Sequence, residues 1–141
     1  MVLTFRYKSV NRPDGTNVKT PSIPVMLRGR ESVDVVAMLD SGADISVIPL
    51  SIAKIIGLDM NSPRIPAFGV GGKIETVDSK VNITIEKGHE RYCFDMPVKI
   101  VLEEYDLPIL LGRVGFFDQF IISFNQREEK IILKKVRSQV F

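Results

Sequence analysis

The feature that most constrains this chain is a long stretch of two-residue alternation in its second half. Val81, Ile83 and Ile85 are separated by Asn82, Thr84 and Glu86, and Tyr92, Phe94, Met96, Val98 and Ile100 repeat the period beyond Lys87-Gly88-His89. Successive side chains of a strand point to opposite faces, so the pattern describes two half-buried strands joined by a turn. Residues 2–10 alternate in the same way, and residues 11–17 form a loop around the turn signal Pro13-Asp14-Gly15. Residues 23–27 and Ser32–Leu39 flank Arg28-Gly29-Arg30-Glu31 as a hairpin, its second arm apolar enough to be a buried strand. One helix is expected over residues 49–57, with Pro49 in its first turn, Gly57 as its stop, and Leu50, Ala53 and Ile56 on one side. A short apolar run over 107–111, a short helix over 113–118 and a hairpin from 120–124 and 130–134 complete the reading. The fold class is all-β and mainly antiparallel, with one or two short helices.

The chain has 141 residues, 45% of them hydrophobic and 26% charged, which suits one globular domain over 1–141 that buries its core without disulfides. Nineteen basic residues against 17 acidic ones are too evenly interspersed to signal nucleic acid. No stretch approaches the roughly 18–20 apolar residues of a membrane span, and the first residues lack the apolar run of a secretory signal. No membrane partner and a cytoplasmic location are therefore expected. Cys93 is the only cysteine and His89 the only histidine, so a Cys/His zinc site or a Cys-His protease pair is not expected. Chemistry must rest on carboxylates, hydroxyls or backbone groups.

The segment that could perform it is Leu39-Asp40-Ser41-Gly42-Ala43-Asp44. A buried apolar strand runs directly into an acid, a hydroxyl and a glycine. The glycine permits an abrupt turn that aims backbone N–H groups at the carboxylate, favouring its ionised form. A second carboxylate close by would hold a shared proton instead. One group could then activate water while its partner protonates a carbonyl oxygen. An Asx turn that merely ends a strand fits the tripeptide alone equally well. Two further segments bear on the choice: the glycine-rich Phe68-Gly69-Val70-Gly71-Gly72, and Ile109-Leu110-Leu111-Gly112-Arg113.

In this order and spacing, the three segments resemble the retropepsin-like aspartic proteases over residues 22–135, with residues 1–21 as an N-terminal extension or extra strand. The resemblance implies the family's closed β-barrel and assigns roles residue by residue. Asp40 would be the catalytic carboxylate. Ser41, Gly42 and Gly112 would support the active-site loop. Gly42, Asp44, Phe68, Gly69, Val70, Gly71 and Gly72 would contact substrate, the last five as a flap. Asp44 would form a positioning ion pair with Arg113. No cofactor or metal would be needed.

The mechanism needs two carboxylates and the chain carries one Asp-Ser-Gly, since Asp14-Gly15-Thr16 has the wrong order and Asp78-Ser79-Lys80 lacks the glycine. A homodimer acting on a polypeptide substrate is therefore expected, with Asp40 and its mate across a two-fold axis. The C-terminal hairpin, with Phe120, Ile121, Ile122, Phe124, Ile131 and Leu133, is the favoured interface, although the same side chains suit core packing. The alternative function is a non-catalytic dimeric peptide-binding or assembly module on the same fold. The intact Asp40, Ser41, Gly42 and flap glycines argue against it. A phosphate-binding role for Gly69-Val70-Gly71-Gly72 fails because a strand-like segment, not a helix, follows.

Overall fold

The alternation over residues 81–100 belongs to one long hairpin. The computed structural model describes residues 2–69, 72–103 and 107–137. In chain order its elements are β1 (Val2–Arg6), β2 (Lys8–Asn11), β3 (Asn17–Thr20), β4 (Ser22–Arg28), β5 (Ser32–Leu39), β6 (Ser46–Pro49) and α1 (Leu50–Ile56). They are followed by β7 (Arg64–Gly69), β8 (Gly72–Lys87), β9 (Glu90–Val101), β10 (Ile109–Leu111), a 3-10 turn (Phe117–Gln119), β11 (Phe120–Asn125) and β12 (Lys130–Lys135).

Six strands close on themselves in the order β4-β5-β10-β6-β9-β8, and β8 returns to β4 through Met26↔Thr84, Leu27↔Ile83 and Arg28↔Asn82. Closure leaves these strands no free sheet edge where they pair. Two of the pairings, β5 with β10 and β6 with β9, are parallel. The inward residues form the core: Ile23, Val25 and Leu27 from β4, Ala37 and Leu39 from β5, and Val81, Ile83, Ile85, Met96, Val98 and Ile100 from the long hairpin. The alternation read from the sequence is thus the barrel interior. β7 extends the sheet beyond β8, so β7 and the start of β8 form the hairpin that carries the glycine-rich tip.

A second sheet, β1-β12-β11, packs on the barrel with Leu3, Phe5, Phe120, Ile131 and Leu133 buried. Phe120 and Phe116 stack 5.4 Å apart and both lie about 6 Å from Phe94 of β9, which joins the two sheets. Three of the six apolar residues expected at an interface therefore belong to the core. Ile121 and Phe124 remain exposed, and Ile122 is half-buried against the core.

Three other expectations are corrected. The strand over residues 2–10 is interrupted at Tyr7, whose buried ring points inward while its N–H donates to Glu129 O at 2.9 Å and its hydroxyl to Gln126 at 3.2 Å. Beyond it, β2 turns back through Pro13-Asp14-Gly15 to pair with β3, so the loop over residues 11–17 is the tip of a hairpin. The helix over 113–118 reduces to turns and the 3-10 segment. Gly115 sits at φ +89°, outside the helical region, and its N–H is taken by the Asp118 carboxylate at 3.0 Å. Among the described residues no helix is long and apolar enough to cross a membrane.

Removing core volume from the terminal sheet should be costly. Ile131→Ala is expected to lower the unfolding free energy by about 2–5 kcal/mol. Exposed Ser123→Ala on the neighbouring strand should change it by less than about 0.5 kcal/mol. Urea denaturation of the two variants checks the contrast.

Candidate active site

Asp40 follows directly on β5, where the strand must leave the barrel. Its own N–H donates to Leu111 O of β10 at 3.0 Å, and its C=O accepts from the Ala43 N–H at 3.1 Å, which closes a tight turn. The Gly42 N–H donates to the Asp40 carboxylate at 2.9 Å. Asp40 is half-buried, and this is the one hydrogen bond its carboxylate accepts among the described residues. A carboxylate so held has a fixed direction and keeps lone pairs free for water or a second acid. Ser41 and Gly42 are both exposed at the crest of the turn.

The turn is anchored from behind by the segment after β10. The Arg113 N–H donates to Ala43 O at 2.9 Å and the Val114 N–H to Asp44 O at 2.8 Å. Gly112 lies so close to this strand that a Cβ there would stand 2.7 Å from the Ile45 carbonyl carbon and 2.9 Å from the Ser46 nitrogen, both backbone atoms that cannot give way. Only glycine fits. The Gly112 N–H donates to the hydroxyl of fully buried Ser46 at 2.9 Å, and that hydroxyl in turn faces Met96 Sδ at 3.7 Å.

The expected Asp44–Arg113 ion pair is not among the ion pairs of the described residues, which are Arg64–Glu75, Arg91–Glu86, Lys99–Asp78 and Lys130–Glu128. Asp44 is exposed and its carboxylate accepts the Ile45 N–H at 2.8 Å, a local bond that turns it along its own chain. The two segments meet through backbone hydrogen bonds instead. Asp40, Gly42, Asp44, Gly112 and Arg113 are nevertheless brought together as one loop pair.

Two features of the site escaped the sequence reading. Ser46 is one; the alternation of Ile45-Ser46-Val47-Ile48 turns Ser46 and Ile48 to the core, so a buried hydroxyl behind the acid was readable in principle. The other is an apolar strip. Met38, Leu110 and Val47 stand side by side across β5, β10 and β6, half-exposed on the face opposite Leu39 and Leu111. Asp40 follows Met38 by two residues, so the strip forms a floor leading to the acid. On the β7–β8 hairpin Phe68 is 81% exposed, and Gly69 pairs with Gly72 at its end. Val70 and Gly71 lie outside the described residues.

Ser46→Ala would leave the buried Gly112 N–H without its acceptor, and is expected to lower the unfolding free energy by about 1–3 kcal/mol. Thermal or urea unfolding beside the parent protein measures it.

No family model matches the sequence, and no curated protein matches it. Solved structures do match. A retropepsin-like aspartic protease from Rickettsia conorii superposes with a TM-score of 0.63 at 16% identity, covering 94% of this chain and 91% of that one. The retroviral protease-like domain of Ddi1 from Leishmania major superposes with a TM-score of 0.51 at 15% identity, over 85% of this chain and 96% of that one. The EIAV protease, solved with the inhibitor HBY-793, aligns at 26% identity and a TM-score of 0.44 over 67% and 83% of the two chains. On the first two likenesses, a β-barrel closed by the β4–β8 pairing and carrying a hairpin from β7 makes this chain a member of the retropepsin-like fold.

Proposed function

We propose that the protein is an aspartic endopeptidase that works as a homodimer, each protomer supplying one Asp40. The observation that carries this reading is the half-exposed Asp40 carboxylate, held by the Gly42 N–H on a turn at the mouth of a retropepsin-like barrel. The sequence has one Asp-Ser-Gly, and the shared-proton mechanism of aspartic proteases needs two carboxylates in complementary protonation states. A symmetric dimer supplies the second.

In the dimer two Asp40 groups share one proton and hold a water between them. The ionised group takes a proton from the water as its oxygen attacks the scissile carbonyl. The protonated group donates a hydrogen bond to the developing oxyanion. Collapse of the tetrahedral intermediate breaks the C–N bond, and the amine leaves with the proton that the first Asp40 took from water, which restores the pair to one shared proton. Substrate binds as an extended strand between the floor and the β7–β8 hairpin. Met38, Val47 and Leu110 favour apolar side chains beside the cut. Phe68, Gly69, Val70, Gly71 and Gly72 act as the cover that excludes water, with Asp44 and Gly42 facing the substrate backbone.

The interface is best supported at β11. This strand is the outer edge of its sheet, and its segment Ile121-Ile122-Ser123-Phe124 carries neither proline nor charge, the usual protections of a free edge. Antiparallel pairing of β11 with its two-fold mate would continue the three strands of each protomer into one six-stranded sheet and cover Ile121, which is 59% exposed.

Cleavage of a mixed peptide library from about pH 3 to pH 7 tests the reading. Activity is expected on the acidic side with a bell-shaped profile, lost on dilution and abolished in Asp40→Asn. A folded dimer that cleaves nothing would instead point to a peptide-binding module. A rate rising steadily into alkaline pH would contradict the shared proton.

A further inference from the structure

The hairpin β2–β3 stands apart from both packed sheets. Among the described residues its four register pairs, from Lys8↔Thr20 to Asn11↔Asn17, are the only sheet pairings that either strand makes. β2 is exposed along its whole length, and β3 is at most half-buried. A lone two-stranded hairpin is marginal in water, yet this one is well built. At its tip the Thr16 hydroxyl and N–H both donate to Asp14, at 2.6 and 2.9 Å, and the Arg12 N–H donates to Thr16 O at 2.8 Å. At its root Thr20 hydrogen-bonds Ser22 across 2.7 Å. One face carries the apolar pair Val10–Val18, with Val10 37% exposed.

The root lies beside the catalytic strand. The Leu39 N–H donates to Pro21 O at 2.9 Å, and Ser22 opens β4 directly opposite Met38. The arm therefore leaves the body one strand spacing, about 5 Å, from the residue that precedes Asp40. On the proposed dimeric reading the two Asp40 groups meet at the two-fold axis, so both arm roots lie next to it. Each four-residue arm strand spans about 13 Å, more than that offset.

The arm's charge is one-sided. Lys8, Arg12 and Lys19 stand against Asp14 alone, whose carboxyl is held below its usual range by the Thr16 hydroxyl and then the Thr16 N–H. None of the three cations forms an ion pair among the described residues. Four residues from Asp40, and so also beside the axis, Asp44 is exposed and likewise unpaired among them.

We propose that the Lys8–Thr20 hairpin is a clasp that lies on the partner protomer, covering its Val10–Val18 face and setting its cations against the carboxylate side of the partner's active-site loop. This inference rests on the homodimeric reading above.

Two variants test it: replacement of residues 8–20 by a short Gly-Ser turn joining Tyr7 to Pro21, and the triple substitution Lys8→Ala, Arg12→Ala, Lys19→Ala, which leaves the backbone intact. Sedimentation equilibrium measures the dimer dissociation constant, and peptide cleavage is assayed far above it. The clasp predicts a dissociation constant raised at least about tenfold by the replacement and severalfold by the triple variant, the latter effect shrinking at high salt, with kcat unchanged once the dimer is saturated. A dissociation constant unchanged in both variants overturns the clasp while leaving the protease reading standing, provided the parent protein is an active dimer. An unchanged dissociation constant with a raised KM overturns it in favour of a substrate-holding arm. A parent protein that stays monomeric at every concentration overturns both readings.

Discussion

The structure depends on the contact between the end of β10 and the start of β6. There the Gly112 backbone presses on the Ile45–Ser46 peptide and its N–H reaches the buried Ser46 hydroxyl. Leu111, just before Gly112, accepts the Asp40 N–H on its carbonyl, so the same segment fixes the acid's backbone, and Arg113 and Val114 hold the far side of its turn. A carboxylate aimed at solvent is thereby carried on packed β-structure rather than on a free loop. Such rigid support is what water activation demands, because the attacking geometry tolerates little displacement.

This support explains how a single chain can hold Asp40 in place on its own. Each element needed to position Asp40 comes from one chain, and on the proposed reading the second acid comes from a partner. The unprotected edge of β11, the exposed Ile121 and the cationic arm beside the Asp40 strand are all surfaces that a lone protomer leaves uncovered. The proposed symmetric partner would account for all three, since one interface would pair the edge, bring the acids together and seat the arms.

Much of this was legible in the sequence, because strand alternation is a local signal. Val81, Ile83, Ile85 and the run from Tyr92 to Ile100 declared their faces directly, and the Asp40-Ser41-Gly42 turn followed from an apolar strand meeting an acid and a glycine. What escaped depends on long-range placement. Tyr7 is buried in step with Leu3 and Phe5, yet the strand ends there because its hydroxyl and N–H find partners in the distant Gln126 and Glu129. Phe120, Ile131 and Leu133 suited an interface and a core equally until the second sheet was seen to pack on the barrel. The resemblance implies an Asp44–Arg113 ion pair; here backbone hydrogen bonds join those segments, and the Asp44 carboxylate bonds the Ile45 N–H instead. The apolar floor of Met38, Leu110 and Val47 could not be read from any one segment, since it exists only through the register of three strands.

The most direct test of the account is to mix inactive Asp40→Asn protein into the parent protein, allow subunits to exchange, and follow cleavage against the parent fraction. If both carboxylates are required, mixed dimers are dead and activity falls as the square of that fraction, so an equal mixture retains roughly a quarter of the parent rate. Activity that falls no faster than in direct proportion, leaving about half or more at equal mixing, would mean that one Asp40 suffices, and the shared-proton mechanism would be wrong.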